Sequence, residues 1–174
     1  MARSITLERR FDEDAARARF RRIRAARFEP AWVHLWAFAV GEAFEAPSAW
    51  LLSAGDMRRP LLLSHRELPA LAAAPADGAR LETGEPPAAE TLAKQWLWER
   101  LARPRAWHVT LQPSPPTPLW LPCWIGYSAG DHTRIHVLSG LSGEALPQLK
   151  PVVLNAFKRA ACAQWRCEKL FERE

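Results

Sequence analysis

The tetrapeptide Ser-Ala-Gly-Asp occurs twice, at residues 53–56 and 128–131. Each copy follows an aromatic, strand-like run: Ala49-Trp50-Leu51-Leu52 in one, Cys123-Trp124-Ile125-Gly126-Tyr127 in the other. Leu62-Leu63-Ser64 answers to Val137-Leu138-Ser139 at the same offset of 75, and Leu68-Pro69-Ala70-Leu71 answers to Leu146-Pro147-Gln148-Leu149 at 78. A Gly-Asp turn between apolar strands is a hairpin signal. The expectation is a β-hairpin with its exit, used twice. Pro60 has no N–H to donate, which places its strand at an edge or bulge.

The remaining segments alternate between helix and strand. Residues 7–27 read as a helix with an arginine stripe, ended by Glu29-Pro30. Residues 32–44, aromatic and β-branched, read as a strand. Residues 90–101 read as a short helix with Leu92, Ala93, Trp96, Leu97 and Leu101 on its apolar half and Trp98 outside it. Residues 107–111 read as a strand, and the four prolines within 112–118 as a stiff connector. From residue 147 or 151 to residue 171 runs the clearest amphipathic helix, with Leu154, Ala161 and Trp165 as a second stripe on its back. The fold class expected is α+β: a mainly antiparallel sheet built from two repeated β-hairpins, covered on one face by the long C-terminal helix, with tryptophans filling the layer between them. The 174 residues suit one domain, 1–174. Its parts are a basic N-terminal helix (1–28), a first hairpin unit (30–71), a mobile loop (72–88), and a second hairpin unit with the C-terminal helix (89–174).

Charge is unevenly placed. Residues 1–28 hold nine Arg and four acids, while the other 146 residues balance, so the whole net charge of +5 sits at the N-terminal end. Arg10, Arg17, Arg21 and Arg24 form the stripe. Clustered arginines suit an acidic protein partner, a nucleic-acid backbone or an anionic membrane surface.

Motifs for catalysis are missing. There is no Gly-x-Ser-x-Gly, phosphate loop or dinucleotide fingerprint. His132 and His136 would stand about 13 Å apart on a strand, too far to share a metal, and His34, His65 and His108 have no ligand set nearby. Cys123 could face His136 across the second hairpin as a nucleophile, against the plainer reading of a buried thiol. Three cysteines without a Cys-x-x-Cys pair imply a reducing cytoplasm. No signal peptide is visible, and no apolar run approaches the roughly 20 residues of a membrane span.

Taken together, these features imply a small non-enzymatic binding or assembly protein of a bacterial cytoplasm, without cofactor, metal or catalytic residue, contacting an acidic protein partner or a second copy of itself. The candidate contact residues are Arg10, Arg17, Arg21, Arg24, Trp98, Leu154 and Trp165. The rival readings are a nucleic-acid-binding accessory protein and an enzyme with a Trp-lined pocket.

Overall fold

A computed structural model describes residues 3–64, 68–71, 77–103, 105, 109–130 and 134–171, with residues 165–171 described by their backbone alone. Among these, the strands are β1 (Ile5–Thr6), β2 (Arg27–Gly41), β3 (Ala49–Ser53), β4 (Leu61–Leu63), β5 (Ala79–Leu81), β6 (Thr110–Leu111), β7 (Thr117–Ser128) and β8 (Arg134–Ser139). The helices are α1 (Glu13–Arg22), α2 (Ala89–Ala102) and α3 (Lys150–Phe171), the last entered through a 3-10 turn, Pro147–Leu149. The class is α+β, in one eight-stranded sheet.

The sheet is organised by two long strands. β2 and β7 pair antiparallel from Arg27↔Tyr127 to Ala37↔Thr117. On its outer side β7 pairs first with β1, in parallel at Leu119 and Trp120, and then with β8 from Cys123 onward. Pro122 falls in the gap between these partners, where its missing N–H is not needed; its carbonyl accepts from Gly140 N–H at 2.7 Å. On its outer side β2 pairs with β5 and then β3, which carries β4 at the edge.

Alternation divides β2 and β7 between two layers. Ala31, Val33, Leu35, Leu119, Leu121, Cys123 and Ile125 face one cluster, completed by Leu149, Val152, Val153 and Ala156 at the start of α3. The opposite face is also covered. Phe20 and Ala16 of α1 pack on Trp124 and Leu138, and Leu92 and Trp96 of α2 pack on Val40 and Leu51. The sheet is therefore sandwiched, not covered on one face only. The buried tryptophans Trp32, Trp96, Trp120 and Trp124 belong to the α1/α2 side or its surroundings rather than to the layer under α3, because even-numbered positions of β2 and β7 point away from α3.

Several expected boundaries are corrected. The N-terminal helix does not span 7–27. Leu7 is fully buried, donates to Trp120 carbonyl and bridges to Ala70. The helix begins where Asp12 caps it, its carboxylate accepting from Ala15 N–H at 2.8 Å. It ends at a Schellman motif, with Arg24 N–H on Arg21 carbonyl and Ala25 N–H on Phe20 carbonyl. The segment assigned to a mobile loop contains β5, held by Trp32 Nε1–H to Asp77 carbonyl, Trp36 Nε1–H to Gly84 carbonyl and the Thr83 hydroxyl to His34 carbonyl. Residues 72–76 of that loop, and residues 131–133 of the second repeat, lie outside the described residues.

Both Ser-Ala-Gly-Asp segments start at the end of a hairpin strand, Ser53 of β3 and Ser128 of β7. The resemblance weakens beyond that point. Leu52 pairs with Leu61, whereas Tyr127, the residue equivalent to Leu52, pairs with Ile135, one position short of the equivalent of Leu61. Downstream, Pro147–Leu149 turns into α3, while Pro69 and Leu71 hydrogen-bond along Glu8 and Thr6.

Candidate functional site

The helix α2 carries the most unusual surface. Its buried arc holds Leu92, Gln95 and Trp96. Gln95 is a polar residue inside, and it is satisfied: Ser53 Oγ–H donates to its Oε1 and its Nε2–H donates to Met57 carbonyl, both at 2.8 Å. This clamp ties the turn after β3 to the helix. It also rotates the helix away from the arc expected, so that Leu97 and Leu101 face solvent. Leu97 is 50% exposed, Leu101 46% and Trp98 71%. At about 100° per residue these three span about 100° of the outer surface. A helix apolar on both sides normally has both sides covered.

Next to Trp98 lies a cleft of about 660 Å³, bordered by Met57, Pro60, Arg58, Arg59 and Lys94. Its single described carboxylate, Glu99, is ion-paired with Arg103 at 3.4 Å. The cleft thus joins an exposed indole to a net positive border, on a base held by the buried Gln95 clamp.

The other expected site residues are dispersed. Arg10 precedes α1, pairs with Glu8 at 3.5 Å and donates its backbone N–H to Gly140. Arg17 pairs with Glu13 one turn earlier and lies 5.4 Å from the Phe28 ring. Arg17 and Arg21 come together at a cleft of about 450 Å³ that includes Phe28 and Trp124. Arg24 sits at the end of α1 and lines a different cleft, with Arg134 and His136. Leu154 is 42% exposed on α3, across the sheet from Trp98. The Trp165 side chain lies outside the described residues.

One arginine that the stripe omits is structural. Arg9 stacks its guanidinium 4.9 Å from the Trp32 ring and 4.4 Å from the Trp124 ring, and donates to Cys123 carbonyl at 2.9 Å and Ala31 carbonyl at 3.4 Å. Burial lowers its pKa, and Asp77 and Cys123 oppose that shift.

The Cys123–His136 pairing fails on register. Cys123 pairs with Ser139 and His136 with Gly126, so the two side chains point to opposite faces. Burial pushes the Cys123 thiol up to about 12, against the pull of Arg9, which disfavours the thiolate. His136 instead shares a 2.8 Å hydrogen bond with Ser128 Oγ. His34 stacks edge-on with Trp36 and Trp120, each at 5.3 Å, and burial lowers its pKa against the opposing field of Glu82. Among the described residues no three His, Cys, Asp or Glu side chains gather as metal ligands, and no helix is long and apolar enough to cross a membrane.

The residues that sequence reasoning passed over are Leu97, Leu101, Arg58, Arg59 and Lys94. The adjacent pair Leu97-Trp98 was the available signal, since no single buried arc of a helix can take both those residues and Leu92 and Trp96. Comparison with protein-family models, with curated proteins and with solved structures returns no match.

Proposed function

We propose that this chain is a non-enzymatic binding protein that docks an acidic protein partner on the outer face of α2. The observation that carries this reading is the exposure of Trp98, flanked by Leu97 and Leu101, on a helix whose inner face is anchored to the sheet. Indole anchors beside apolar neighbours are the usual energetic centre of an interface. Arg58, Arg59 and Lys94, with Glu99 already paired, favour a partner that presents carboxylates.

The arginines of α1 add a second basic strip, which the sequence made the main contact. Arg17 is engaged with Glu13 and Phe28, and the clefts around α1 have no exposed aromatic anchor among the described residues. The docking role therefore moves from α1 to α2. The test is quantitative mass spectrometry of proteins copurifying from the source cells with the tagged chain, its Trp98→Ser variant and its Arg17→Gln/Arg21→Gln variant. The expected result is a protein retained by wild type and the arginine variant and lost from Trp98→Ser. Identical profiles for wild type and Trp98→Ser would reject the reading.

A further inference from the structure

Two clefts lie side by side along β8 and share Ile23 and His136. The first, about 280 Å³, has an apolar lining that includes Ile23, Val137, Leu138 and Pro147, together with Arg19, Arg22 and Lys150. The second, about 430 Å³, is lined by Arg24, Arg134 and Ser128 as well. Three elements that are distant in sequence, the end of α1, the strand β8 and the start of α3, thus bring five permanent cations together.

No described residue lining either cleft is a carboxylate, and none of these five cations has an ion-pair partner among the described residues. Arg10, Arg17, Arg103 and Arg159 each have one. Clustered like charge repels itself, and a bound anion relieves that repulsion. His136 registers the field: burial, Lys150 and Arg134 all lower its pKa. Arg24 adds an independent sign. It holds φ 55°, the left-handed position of a Schellman motif, where glycine or asparagine is usual. A side chain kept at a position that penalises any β-carbon points to a use for that side chain.

We propose that the paired clefts bind an organic phosphate of nucleotide size carrying two or more phosphate groups. Its phosphates lie against Arg24 and Arg134, whose guanidinium forks match phosphate oxygens. Its apolar body occupies the Ile23, Val137 and Leu138 side. The cleft sizes suit a small ligand rather than a strand, and among the described residues no Trp, Tyr or Phe lines them, His136 being the one aromatic ring present, whereas binding along a single strand uses successive stacking platforms. This site is separate from the α2 surface and does not depend on it.

The test is isothermal titration of the full chain at about 20 mM salt, where phosphate contacts are least screened, with ATP, tripolyphosphate, adenosine and a single-stranded oligonucleotide. ATP should bind, and adenosine should not. Arg24→Gln/Arg134→Gln should weaken ATP at least about ten-fold, as expected for losing charge-assisted contacts. Ile23→Ser should weaken ATP while leaving tripolyphosphate unchanged. All three positions are exposed, so the variants should retain the fold, which thermal unfolding checks. The proposal is overturned by absence of ATP binding up to about 1 mM, by an unchanged ATP affinity in Arg24→Gln/Arg134→Gln, by equal effects of Ile23→Ser on ATP and tripolyphosphate, or by an oligonucleotide that displaces ATP from the site.

Discussion

Phe20 over Gly126 is one of the contacts that seat α1 on the sheet, and a double-mutant cycle can measure it. Phe20 is 1% exposed, and its ring stacks on Phe28 at a centroid distance of 5.1 Å. A β-carbon at position 126 would stand 2.3 Å from Phe20 Cε1 and 2.5 Å from Cδ1, against the 3.4 Å at which ordinary contact begins. The ring would have to withdraw by about 1 Å, but Phe28 backs it and Ala16 holds the helix beside it. Overpacking of this kind costs about 1–3 kcal/mol, and about 2 is expected for Gly126→Ala. Phe20→Ala should cost about 3–5 kcal/mol by emptying the same site. In the Phe20→Ala background the clash is gone, and alanine is a better strand residue than glycine. Gly126→Ala should there be neutral or stabilising by up to about 1 kcal/mol. Urea unfolding followed by tryptophan fluorescence gives all four free energies, with Trp124 beneath the contact as a local reporter. Equal costs of Gly126→Ala in both backgrounds, or a neutral Gly126→Ala in the wild type, would refute the reasoning.

Three further outcomes are expected. Gln95→Leu should destabilise by about 1–3 kcal/mol in urea unfolding, because it leaves the buried Ser53 hydroxyl and Met57 carbonyl without partners; adding Ser53→Ala should recover part of that loss. Arg24→Gly should raise stability by about 1 kcal/mol, seen as a higher melting temperature, because it relieves the left-handed backbone at φ 55°. The stability contributed by His34 should be complete above its ordinary value of 6.5 and fall as pH drops below it, because burial makes the folded state bind the proton less tightly than the unfolded chain; melting curves of His34→Gln should show a shallower decline over that window.

What could be read from the sequence was the local grammar. The Gly55-Asp56 turn lies between the antiparallel strands β3 and β4, and the apolar stripe of Leu149, Val152, Val153 and Ala156 marked the face α3 buries. Two kinds of information were not local. The start of α1 depended on Leu7, which reads as a helical apolar position but is claimed by backbone pairing with Trp120 and Ala70. The face of α2 depended on Gln95, whose polarity argues for solvent until Ser53 and Met57, about forty residues away, supply its partners. Periodicity weighs each side chain alone, so it turned Leu97 and Leu101 inward and left Trp98 without its exposed apolar neighbours. In the same way the cluster of Arg19, Arg22, Arg134 and Lys150 exists only once β8 sets the end of α1 beside the start of α3.

The central claim is that α2 presents the docking surface. Its most direct test is hydrogen–deuterium exchange of the chain alone and in complex with the protein captured on it. New protection should fall on residues 94–102 of α2 and on Arg58 and Arg59, and added salt should slow association without abolishing the complex. Protection confined to α1 or to the exposed side of α3 around Leu154, with the α2 segment exchanging as in the free chain, would contradict it.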